Sequence, residues 1–105
     1  MTRGISVTLT NKQKSFLSGK AHHLKPVVMV GHKGLTESLT KEIDANLTAH
    51  ELIKIKFNES VADDRHSISE TIAAEAGAEI IALRGHILSL FRAHPEKPKY
   101  QLPKS

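Results

Sequence analysis

The chain has no cysteine. Without thiols there is no disulfide framework, no thiolate zinc site and no cysteine nucleophile. The composition suits a reducing compartment. Aromatic residues make up 4% of the chain, three Phe and one Tyr, which is sparse for a surface built to stack unpaired bases. No apolar run nears the ~18 residues that cross a membrane. The opening MTRGISVTLT carries one Arg and no apolar core, so it does not read as a secretory signal. A cytoplasmic protein with no membrane partner is expected.

Acid is also missing from the first third of the chain. Met1–Thr36 holds six bases, Arg3, Lys12, Lys14, Lys20, Lys25 and Lys33, and no Asp or Glu. Glu37–Ile80 then holds ten acids against four bases, and Ile81–Ser105 five bases and only Glu96. The net charge of +4 is thus the sum of two basic ends and an acidic middle. Such segregation points to a polyanion met by one face. A chain of 105 residues makes one domain, and a monomer is expected.

What is present alternates between two periodicities. Residues 9–24 read as a first helix with Phe16, Leu17, Ala21 and Leu24 on one face. Thr10 and Gln13 form a capping-box pattern at its start. KPVVMV follows Pro26 into a β-branched run, apolar on both faces like an interior parallel strand. Residues 35–50 repeat an apolar residue every fourth place at Leu35, Leu39, Ile43 and Leu47. LIKIKF alternates, with Leu52, Lys54 and Lys56 on one side and Ile53, Ile55 and Phe57 on the other. NESVADDR reads as a turn, with Asp63 or Asp64 capping a third helix that ends at Gly77. EIIALRGHILSLFR reads as a hairpin whose Gly85-His86 loop suits a II′ turn. The expected domain is α/β, a two-layer sandwich in the order α-β-α-β-α-β-β with a mixed four-stranded sheet over residues 9–93. Residues 1–8 are an N-terminal extension. Residues 94–105, with three prolines and three lysines, read as an extended, partly disordered tail.

The chemistry concentrates in GHKG, residues 31–34, between the first strand and second helix. Ligands of parallel βα units gather at strand carboxyl ends. Glycine removes Cβ, so an anion can approach the backbone N–H groups, and a helix start adds unsatisfied donors. Lys33 supplies charge, and His32 does when protonated. Glu37, in the helix's first turn, would repel a phosphate. The loop is neither a nucleotide P-loop nor a dinucleotide fingerprint, because no G-K-[ST] and no third glycine follow. KH domains clamp nucleic-acid backbone with the same G-x-x-G, but between helices.

AHHLKPVVMVGHKGLTESL, residues 21–39, with HELIKIKF, residues 50–57, resembles the CRM domain (chloroplast RNA splicing and ribosome maturation), most of all its stand-alone bacterial YhbY form. The resemblance spans about residues 9–92. It implies a fold similar to the C-terminal domain of translation initiation factor three. It also implies RNA binding through the G-x-x-G loop and nearby basic surface, and a link to precursors of the large ribosomal subunit. The RNA-binding residues it and the charge pattern point to are Gly31, His32, Lys33, Gly34, Lys25, Lys12, Lys14 and Lys20.

Other readings compete. The seven histidines lack metal-ligand spacing, and adjacent His22 and His23 point about 100° apart on a helix. No metal or cofactor is expected. His22 reads as a helix-end packing residue, His50 as a helix end, His86 as a turn residue. A nuclease could be drawn from His32, Lys33 and Glu37, but nothing there activates a nucleophile, so no enzyme is expected. A docking module for ribosomal proteins would use the acidic middle, with Glu42, Asp44, Glu51, Glu59, Asp63 and Asp64. Tyr100 can stack on a base, but falls in the tail.

Overall fold

A computed structural model describes residues 9–104. The extension expected over 1–8, with its Arg3, lies outside the described residues. Three helices, α1 (Asn11–Ala21), α2 (Glu37–His50) and α3 (Arg65–Ala76), alternate with strands β1 (Pro26–Val30), β2 (Leu52–Phe57), β3 (Glu79–Arg84) and β4 (Ile87–Phe91). The order is the one the periodicities predict.

Local chemistry sets several boundaries. Thr10 accepts from the Gln13 N–H at 3.1 Å while Gln13 Oε1 accepts from the Thr10 N–H at 3.0 Å, completing the capping box that starts α1. Gly77 ends α3 in the left-handed conformation. Between β3 and β4 two residues suffice, with Gly85 at φ 57°. NESVADDR is not a plain turn. Asn58 caps a 3₁₀ helix, Glu59–Asp64, which runs directly into α3. Asp64 stands at the α3 N-cap position with ψ 7° and makes no side-chain cap bond. The 3₁₀ helix leaves no extended residue there for a carboxylate cap to act from.

The sheet order is β1-β2-β4-β3. β1 and β2 are parallel, and β4 pairs antiparallel with both β2 and β3. The closing hairpin therefore inserts its last strand into the middle of the sheet. β1 is left as an edge, not the interior strand its apolar run suggests. Val27 and Met29 are 44% and 52% exposed.

Each sheet face has its own core. Val28, Val30, Ile53, Ile55, Phe57, Leu88 and Leu90 pack against α2 and α3 through Ile43, Leu47 and Ile72. The two-layer sandwich is this side. On the opposite face α1 covers one end only, through Leu17 and Ala21 on Leu52, Ile81 and Phe91. The rest of that face is open.

The tail is the largest departure from expectation. Residues 93–104 have no helix or strand yet lie docked on the domain. Tyr100 and Leu102 pack against the α1 cluster, and Gln13 donates to Pro103 O at 2.9 Å. Their anchor is Glu51, 1% exposed. Its carboxylate accepts from the backbone N–H groups of His94, Lys99 (2.8 Å) and Tyr100 (3.3 Å). Burying a carboxylate is costly unless hydrogen bonds replace its water, and these three donors do so.

Candidate nucleic-acid interface

β1 delivers Gly31–Gly34 at its exit, beside the end of β2, where Asn58 N–H donates to Val30 O at 2.9 Å. The loop closes as a tight turn, Gly34 N–H donating to Gly31 O at 2.9 Å. That amide is spent within the loop and is not offered outward, contrary to the expectation that the whole loop receives a phosphate. Gly34 has φ 71°, so the turn itself requires glycine there. Gly31 is different. Its φ is not positive, and a Cβ on it would meet nothing within 4 Å. The free domain has no steric need for glycine at 31.

Helix α2 does not start directly at the loop. Leu35 and Thr36 intervene, and Thr36 Oγ1 accepts from the Leu39 N–H at 3.1 Å. Glu37 is exposed in the first turn, as are His32 and Lys33. A nuclease arrangement of His32, Lys33 and Glu37 would therefore work in open water, where electrostatic stabilisation is weak.

The open sheet face continues from the loop's strand. Residues in register share a face. One row therefore runs Met29, Lys56, Ile87, Arg84, and the next carries Lys54, Ser89 and Ala82. Lys56 and Arg84 are exposed. A crevice of about 220 Å³ separates this face from the end of α1, with Ser18, His22, Lys54, Arg84 and Ser89 in its walls. His22 is thus exposed above a basic crevice, not packed into the helix end.

The lysines named from sequence are only partly brought together. Lys14 shares a second crevice with His22 and Arg84. Lys20 lies on the other flank of α1, its Nζ 5.4 Å from the Phe16 ring centroid. Lys12 is exposed, and Lys25 sits just before β1, at the end opposite the loop. What sequence reading missed is Lys54, Lys56 and Arg84. The alternation of LIKIKF already put both lysines on one side; that this side stays uncovered depends on where α1 lands.

Acids are mostly elsewhere, apart from Glu37 in the first turn after the loop and Glu79, in register with Phe91 and Leu52 on this side of the sheet. Nine of the eleven lie on α2, the 3₁₀ helix and α3 or at Glu51, leaving Glu79 and Glu96. Arg92 is also used internally. It bonds Asp44 Oδ1 at 2.7 Å, Thr48 Oγ1 at 2.9 Å and Ala76 O at 2.9 Å. Among the described residues no group of three His, Asp or Glu is placed to hold a metal, and no helix is long and apolar enough to cross a membrane.

Comparison with known proteins places the chain among relatives named for RNA binding. A Haemophilus influenzae protein named "RNA-binding protein" is 46% identical over 92% of this chain and 97% of its own length. A Bacillus subtilis protein named "Probable RNA-binding protein YqeI" is 33% identical over 90% of this chain and 99% of its own. The solution structure of a hypothetical Staphylococcus aureus protein superposes with a TM-score of 0.79 at 31% identity, over 91% of this chain and 100% of that one. The sequence profile of the CRS1/YhbY (CRM) domain matches residues 9–92. By that match and those relatives, the chain belongs to the CRS1/YhbY (CRM) domain family.

Proposed function

We propose that the domain binds RNA by its phosphate backbone, without catalysing a reaction, using the Gly31–Gly34 loop and the open sheet face as one surface. The observation that carries the reading is segregation across the sheet. The acid-bearing helices cover one face. The uncovered face carries Lys54, Lys56 and Arg84, and β1, which delivers the loop, forms its edge. The names of the relatives support RNA as the polyanion. A backbone-reading surface also agrees with the small aromatic content.

In this mechanism a phosphate approaches the outward side of the loop next to Gly31, where a Cβ would meet no atom beyond the adjoining residues within 4 Å. Lys33 sits beside it, and Lys56, Lys54 and Arg84 neutralise neighbouring phosphates along the rows. Lys14 of α1, in the crevice with His22 and Arg84, extends the field. Precursor RNA of the large ribosomal subunit is the expected partner, on the strength of the family resemblance, and assistance in its assembly the expected role.

Salt titration tests the backbone reading. With three to five phosphates paired, log affinity should fall against log salt with a slope of about −2 to −4. A flat response would replace it with a protein-docking role. Crosslinking in cells, followed by sequencing of the attached RNA, tests the ribosomal partner. Enrichment of large-subunit precursor supports it and its absence removes it.

A further inference from the structure

The docked tail makes a second cleft, at the opposite end of β1 from the loop. It encloses about 330 Å³ between the residues that lead into β1, the end of α2 and the tail. Its walls include Leu24, Val27, Lys25, His50, Lys99 and Tyr100. No acidic side chain lines it. Two of these groups are brought there with the help of Glu51, whose carboxylate accepts from the Lys99 and Tyr100 backbone N–H groups. Tyr100 is further fixed edge-to-face on Phe91, with centroids 6.3 Å apart. Lys99 Nζ donates to Ala49 O at 2.9 Å, which places the ammonium at the rim and leaves two of its three donors unspent. An aromatic ring, two apolar side chains and two ammonium groups thus meet in one recess.

We infer that this cleft receives a single unpaired nucleotide of the bound RNA, its base against Tyr100, Leu24 and Val27 and its phosphate between Lys25 and Lys99. The inference rests on the RNA-binding reading and deepens it. A base flanked by a ring and apolar side chains recovers stacking lost on leaving a helix, and its phosphate meets paired charge. Duplex RNA keeps its bases stacked inside and cannot enter. The loop and open face would then read backbone in any RNA, and the cleft would select RNA with an unpaired segment next to a helix. Glu51 acts as a positioning residue, since it holds the tail and touches no RNA.

The test uses the full chain and two RNAs, a blunt hairpin whose strands are joined by a non-nucleotide linker and the same hairpin with a short unpaired extension, followed by fluorescence anisotropy. The readout is the ratio of the two affinities. The wild-type chain should prefer the extended hairpin by on the order of tenfold, the contribution of one stacked base. Tyr100→Leu, which keeps apolar contact with Phe91, should reduce that ratio several-fold. Lys99→Met, at an exposed position, should also reduce it and does not depend on core packing. A wild-type ratio near one, or a preference that survives both substitutions, overturns the cleft. If Gly31→Val still lowers affinity for both hairpins in that case, the backbone reading stands alone. Failure of the wild-type chain to bind either RNA overturns both.

Discussion

Gly34 and Glu51 share a positive φ, 71° and 67°, and differ in almost everything else. Gly34 closes an exposed loop that makes one internal backbone bond, its own N–H to Gly31 O. Glu51 is buried, and its N–H, its carbonyl and its carboxylate all have partners, in Leu47, Arg92, His94, Lys99 and Tyr100. A positive φ is nearly free for glycine and disfavoured for a side chain with a Cβ. It persists at Glu51 because five hydrogen bonds over-determine the position. The contrast separates two uses of polar backbone. At Glu51 the groups are spent on folding, and at the loop they are left for a partner.

The strongest way to break that comparison is to remove the Glu51 carboxylate. Glu51→Ala should destabilise the domain by about 2–4 kcal/mol, measured by urea unfolding. Unsatisfied buried donors cost roughly 1–3 kcal/mol each, but the tail can peel away and return its amides to water, which limits the total. Limited proteolysis should then cut first between Ala93 and Ser105. Glu51→Gly relieves the backbone and loses the same acceptor. If bonding outweighs strain, it should be nearly as unstable as Glu51→Ala. A Glu51→Gly protein as stable as wild type would show that the tail is held by Tyr100 and Leu102 alone.

Next come the two glycines of the loop. Gly34→Ala forces a Cβ into φ 71° and should cost about 1–2 kcal/mol of unfolding free energy. That makes it a poor probe of binding. Gly31→Val meets open space and continues a β-branched run. It should melt within ~0.5 kcal/mol of wild type, as uncrowded surface substitutions do, yet lower RNA affinity several-fold. Equal losses of stability for both variants would mean that the loop is only a turn.

What was legible in the sequence was local. The Thr10–Gln13 capping box, the Gly77 helix stop, the Gly85-His86 hairpin and the alternation of LIKIKF each depend on neighbours within a few residues, and each is in the structure. What was not legible depends on contacts across the chain. PVVMV looks the same whether the closing hairpin pairs with β2 or with the free side of β1, and only the former leaves β1 an edge. The tail looks unstructured because its donors pair with Glu51, 43 to 49 residues away. The candidate site was divided in the same way. The loop carried its own glycine signal. Arg84 joined it through the β3–β4–β2 register, which no short window of sequence contains.

The smallest expected effect is also the sharpest on charge. Lys56 and Lys41 are both exposed. One lies on the open face in register with Met29 and the other on α2, among the acids. Replacing either with Ala removes the same unit of charge from the chain, so a partner drawn only by net charge would respond to both alike. If phosphates follow the open face, Lys56→Ala should lower affinity a few-fold for any RNA sequence and reduce the magnitude of the salt slope by about one. Lys41→Ala should change the slope by less, because Lys41 stands on α2, which covers the other face of the sheet, and salt screens charge with distance. Identical responses would put the RNA somewhere other than the open face, whatever the loop itself contributes.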